Sequence, residues 1–130
     1  MKIFKTFAEL KNAPSEIYKY FLEMENNEPP AEDIDLIEWY GGYINIIESI
    51  EDLAEVPTCQ AVEDASRWYN ILEKPDSYDA CRWIDTEQSY VEIFIATTDA
   101  GGPSFFVPKE IALKVPNVIE SMKMSNEVWS

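Results

Sequence analysis

Between Lys19 and Arg67 the chain runs for 47 residues without one basic side chain, and thirteen of its 25 acids lie in that interval. With ten Lys and Arg residues in the full 130, most acids have to remain unpaired. The formal net charge is −15, although charged residues make up 27% of the chain, close to the ordinary value of about 25%. Self-repulsion on that scale opposes compaction, so apolar burial has to carry the fold. The residues for it are present: 46% of the chain is hydrophobic and 13% aromatic, which argues against intrinsic disorder. The length suits a single domain over residues 1–130 with its own core.

The sign of the charge argues against a chain that grips nucleic-acid phosphates itself, and equally against binding to anionic membrane surfaces. Its natural partner is something basic. Histidine is absent, which removes the commonest general base and metal ligand. Ser-His-Asp and Cys-His catalysis within the chain, and ordinary zinc sites, are excluded with it. Cys59 and Cys81 lie too far apart for a Cys-x-x-Cys redox pair and are expected as free thiols. Lys2 and Lys5 lead into Phe4, Phe7 and Glu9, which is no secretory signal. No apolar run approaches the roughly 20 residues of a membrane span. A reduced, cytosolic setting follows as the expectation.

Local patterns predict an α+β domain of antiparallel hairpins packed by short helices. Met1 to Phe7 reads as a short strand or entry arm, and Thr6-Phe7-Ala8-Glu9 as a capping box. After Pro14, the positions Ile17, Tyr20, Phe21 and Met24 recur at helical spacing, predicting a helix over Ser15 to Met24 that ends before Pro29-Pro30. Two readings fit Asp33 to Ser49. One is a helix to Tyr40 stopped by Gly41-Gly42. The other is a hairpin over about 34–48, with Ile37, Trp39, Ile44 and Ile46 on one face. The second half favours the hairpin, and the first half stays open. Ser49 to Leu53 reads as a short capped helix, Ala61 to Leu72 as a helical stripe in which Trp68 to Leu72 also fits a strand, and Asp76 to Trp83 as a further helical turn. Tyr90 to Thr97 and Ser104 to Val107 form a second hairpin (about 90–107), and Pro108 opens a short helix.

The uncompensated acids define a candidate binding surface: Glu28, Glu32, Asp33, Asp35, Glu38, Glu48, Glu51, Asp52, Glu55, Glu63 and Asp64. Regular secondary structure spaces carboxylates about 5–7 Å apart, a fair approximation to nucleic-acid phosphates. Such a surface can occupy a Lys and Arg array that otherwise meets DNA. Trp39, Tyr40 and Tyr43 lie between the acids and would serve as anchors where exposed. Asp33-x-Asp35 beside Glu32 is too weak a pattern for a metal site, and Gly101-Gly102 lacks the Gly-Lys sequel of a phosphate loop. No catalytic residue, metal or cofactor is expected.

In size, charge and style the chain resembles the small acidic proteins of phages and mobile elements that disable host defence, of the anti-CRISPR and anti-restriction type. The segment from Thr98 through Gly101-Gly102-Pro103 to Glu110 also resembles a hairpin of phage and plasmid proteins. The resemblance implies a non-catalytic inhibitor in a bacterial cytoplasm, bound to a basic nucleic-acid-binding protein or ribonucleoprotein complex such as a CRISPR effector or restriction enzyme. One alternative shares the surface chemistry, an immunity protein that neutralises a basic nuclease toxin; another, of a different class, is a homodimeric adaptor whose acidity serves only solubility.

Overall fold

A computed structural model describes residues 1–55, 80–94 and 102–114. The expected helix is α1 (Ser15–Met24), which starts directly after Pro14 and buries Ile17 and Phe21 completely. Before it lies a 3₁₀ turn (Ala8–Asn12) that buries Leu10. The Thr6 hydroxyl accepts the Glu9 N–H at 3.3 Å, as a capping box requires. The Glu9 carboxylate reaches back one residue further, to the Lys5 N–H at 2.8 Å.

Five short strands make one mixed sheet: β1 (Lys2–Phe4), β2 (Ile44–Ile46), β3 (Ala80–Trp83), β4 (Tyr90–Phe94) and β5 (Ser104–Pro108). Their order across the sheet is β1-β2-β5-β4-β3. β4 and β5 form the predicted antiparallel hairpin, with Glu92 opposite Phe106 and Ile93 opposite Phe105. β2 pairs antiparallel with β1 and parallel with β5. The domain is therefore α+β. The helix predicted near Asp76 to Trp83 gives way to β3 over its last four residues, because Ala80 to Trp83 pair in register with Phe94 to Val91. The stripe over Ala61 to Leu72, and Cys59, lie outside the described residues.

Of the two readings of Asp33 to Ser49, the helix stopped at Gly41-Gly42 is the one found, and the hairpin over about 34–48 is corrected. Residues Leu36–Tyr40 form a short helix, α2, and β2 pairs elsewhere. Both ends of α2 are fixed locally. The Asp35 carboxylate accepts the Ile37 N–H at 2.8 Å, and Gly41 takes a left-handed φ of 89° while donating to the Ile37 carbonyl. Helical spacing turns Leu36 fully into the core and leaves Ile37 exposed, the reverse of the hairpin pattern. β2 meanwhile satisfies both of its edges against β1 and β5, where a hairpin would have satisfied one.

Strand alternation places Phe4, Ile44, Ile46 and Phe106 on one face, where they pack with Phe7, Leu10, Ile17, Phe21 and Leu36. Each such burial stabilises by about 1.5–3 kcal/mol. Aromatic edges lock the cluster: Phe21 meets Tyr40 at 5.2 Å and Phe106 at 5.6 Å, both near perpendicular. Val91, Ile93, Phe105 and Val107 on the opposite face are buried as well. A short helix, α3 (Lys109–Ala112), follows β5 with Pro108 at its start.

The second 3₁₀ turn (Ile50–Glu55) begins where Asp52 accepts the N–H groups of Glu48 and Ser49. The Met1 ammonium lies 3.1 Å from both the Glu48 and the Asp52 carboxylates. Hydrogen bonding to Asp52, then Glu48, raises the amine above its ordinary 8.0. The Glu48 N–H, then the ammonium, lower Asp52 below its ordinary 3.8. A raised amine stabilises fully below its unfolded value and loses that contribution as pH rises through the folded one. A lowered acid stabilises above its unfolded value and loses it as pH falls through the folded one. The clamp is thus complete between about pH 4 and 8 and fails outside that window. Unfolding curves from pH 7 to pH 10 should show an alkaline loss that N-terminally acetylated protein lacks; identical curves would show the clamp to be inert.

Candidate functional site

The acids singled out in the sequence fall into two kinds. Asp33, Asp35 and Asp52 are committed to the backbone: Asp33 accepts the Ala8 N–H at 2.8 Å, Asp35 caps α2, and Asp52 closes the 48–52 turn. Glu48 is half of the Met1 clamp. Glu28, Glu32, Glu38 and Glu51 are exposed, and their carboxylates make no hydrogen bond or ion pair among the described residues. Glu63 and Asp64 lie outside the described residues, as does the side chain of Glu55. Among the described residues no group of three carboxylates or thiols is placed to hold a metal ion.

The aromatic anchors divide likewise. Trp39 packs edge-on against Phe7 at 5.2 Å, and its indole N–H donates to the Glu25 carboxylate. Tyr40 is held in the core against Phe21 and Phe94. These two rings support the fold and do not stand free to grip a partner. Tyr43 is half-buried, with the Lys5 ammonium 5.7 Å over its ring.

Tyr40 leads to Glu92, mid-strand in β4, the one fully buried charged side chain among the described residues. One carboxylate oxygen accepts the Tyr20 hydroxyl at 2.9 Å. The other accepts Tyr40 at 3.0 Å and Ser104 at 2.8 Å. Three elements thus converge on one buried acid: α1, the last residue of α2 and the first of β5. Burial, then the Glu92 charge, raises the Tyr40 phenol well above its ordinary value, so it stays a donor throughout the physiological range. The sequence signal for this network is a single acid inside an otherwise apolar strand, Tyr90-Val91-Glu92-Ile93-Phe94.

Tyr20 also lines a half-open cleft of about 510 Å³ between α1 and the turn joining β3 to β4. Glu16, Lys19, Tyr20 and Glu23 present one face of α1 to it, at the i, i+3, i+4, i+7 spacing. Trp83, Asp85 and Glu87 form the facing wall. Four acidic residues and one lysine therefore line the cleft. The turn is tied down by the Ser89 N–H to the Asp85 carboxylate at 2.8 Å and the Gln88 N–H to the Asp85 carbonyl at 3.2 Å. Tyr90, next to this turn, has its phenol raised by burial and then by the charges of Glu16 and Glu110. These cleft acids were not among the residues singled out from the sequence, because their two groups are about sixty positions apart. Among the described residues no helix is long and apolar enough to cross a membrane. Comparisons with protein-family models, with curated proteins and with solved structures find no match.

Proposed function

We propose that this chain is a non-catalytic inhibitor whose acidic surface occupies a basic nucleic-acid-binding site of a bacterial defence complex, in the cytoplasm of the host. The observation that carries the reading is the set of exposed carboxylates without counter-ions, Glu28, Glu32, Glu38 and Glu51, in a stretch free of Lys and Arg. The acidic cleft adds to it. Carboxylates already committed to the backbone cost a partner nothing to leave alone; the uncommitted ones gain most from a basic array.

The test is retention of bacterial lysate proteins on the immobilised chain at about 0.1 M and about 0.5 M salt, between which the Debye length falls from about 10 Å to about 4 Å. A nucleic-acid-handling protein should be held at low salt and released at high salt. In a gel shift, the chain should then displace the nucleic acid from that protein. If the captured protein keeps full nucleic-acid binding while saturated with the chain, blockade is wrong.

A further inference from the structure

The acids and bases of this molecule scarcely meet. Lys2, Lys5, Lys11, Lys19, Lys109 and Lys114 are all exposed, and none brings its ammonium within ion-pair distance of a carboxylate among the described residues. The Met1 amine does so, held by Glu48 and Asp52. Lys5 stands over the Tyr43 ring instead. Even complete pairing of every Lys and Arg in the chain would leave a net charge of −15. Folding draws that charge from a coil with a radius of gyration of about 37 Å into a domain of about 14 Å. At 0.01 M salt the Debye length is about 30 Å, so each charge of the native state repels all the others. At 0.5 M it is about 4 Å, and only neighbours interact.

We infer that ionic strength is a conformational control built into this fold: counter-charge supplied from outside favours the native state, and withdrawing it loosens the domain. The carboxylates divide accordingly. Asp33 and Asp35 accept backbone N–H groups, so their charge is offset by local structure. Glu23, Glu28 and Glu32 are exposed, cap no helix, and their carboxylates bond nothing among the described residues, so they contribute repulsion alone. Glu23 stands besides in the last turn of α1, where the helix dipole disfavours an acid. The acidity is thus a distributed repulsion, and any cation that gathers on the native surface, simple or macromolecular, stabilises the fold by mass action. This holds whichever partner the acidic surface takes.

The test is thermal unfolding of the full chain at pH 7 in sodium chloride from 0.01 M to 0.5 M, followed by circular dichroism. The midpoint should rise by at least about 5 °C across that range. The variant Glu23→Gln/Glu28→Gln/Glu32→Gln should raise it by about 3 °C at 0.01 M and by less than about 1 °C at 0.5 M. Asp35→Ala, which loses the cap on α2, should lower it by about 3 °C at 0.5 M, where screening has removed any gain from the lost charge. A midpoint that stays flat or falls as salt rises would overturn the inference, as would a triple variant less stable than the parent at 0.01 M. So would a rise that magnesium chloride completes at micromolar concentration, which would reveal one discrete cation site in place of a distributed repulsion. The salt series on the unaltered chain decides the matter should a variant fail to fold.

Discussion

Replacing Glu92 by alanine is expected to lower stability by about 3–5 kcal/mol, the largest loss for a polar residue among those described. The side chain is fully buried, and its carboxylate receives hydroxyls from Tyr20, Tyr40 and Ser104. Tyr20 borders the cleft and can turn to water. Ser104 is fully buried and Tyr40 largely so; their hydroxyls lie 2.9 Å apart, so one can donate to the other and a single donor is left orphaned, at a cost of about 1–3 kcal/mol. The cavity left beneath Phe106, its partner across the strands, adds to that loss. Glu92→Gln keeps the volume and one acceptor, and should cost about 1–2 kcal/mol. In urea, the midpoint of the alanine variant should fall by about 2 M at an unchanged slope of about 1.5–2 kcal/mol/M. An alanine variant as stable as the parent would mean that desolvating the carboxylate costs as much as its three hydrogen bonds return.

The second large effect is at Gly42. A Cβ built there would lie 2.2 Å from the Pro103 nitrogen, 2.5 Å from its Cα and 2.6 Å from the Gly102 carbonyl carbon. All three are backbone atoms, so no rotamer change can make room. Relief requires moving the start of β2 away from β5, where Ile44 opposes Ser104 and the Tyr43 carbonyl accepts the Ser104 N–H at 3.3 Å. Gly42→Ala is therefore expected to cost about 3 kcal/mol and lower Tm by about 10 °C. Gly41→Ala meets a different penalty, a left-handed φ, worth about 1–2 kcal/mol. The two neighbouring glycines are thus needed for separate reasons. Calorimetry on the pair should rank position 42 above position 41, and the opposite ranking would contradict the close approach.

Legibility from sequence followed the range of the forces. α1 shows a helical period over ten residues, and β4 and β5 are β-rich apolar runs flanking a Gly-Gly-Pro turn, so their partners are near in the chain. α2 is five residues long, and its identity depends on Asp35 folding back on Ile37 and on β2 finding β1 and β5, pairings about 40 and 60 residues away. The Asp35 cap and the Gly41 stop are local and made the helix one of two readings, but the strand pairings that decide against the hairpin are not written in any local propensity. The same limit applies to the acidic surface. A row of carboxylates in sequence does not distinguish Asp33, which serves the Ala8 N–H 25 residues earlier, from Glu32 beside it, which serves nothing among the described residues. Trp39 and Tyr40 stood as candidate anchors because they sit among acids in the chain. In space they sit among Phe7, Phe21 and Phe94.

The sheet order has a bearing on how copies of the molecule treat one another. Its β1 edge is three residues long, begins with Lys2 and is followed by the half-exposed Ile3. So short and charged an edge is a poor template for strand addition, and every copy arrives carrying a net charge of −15. Growth of the sheet from chain to chain along that edge, the usual route to fibrous aggregates, is blocked both by geometry and by repulsion. High concentrations of this protein should therefore remain dispersed at neutral pH, where the carboxylates are ionised, and lose that protection near its isoelectric point of about 4.2.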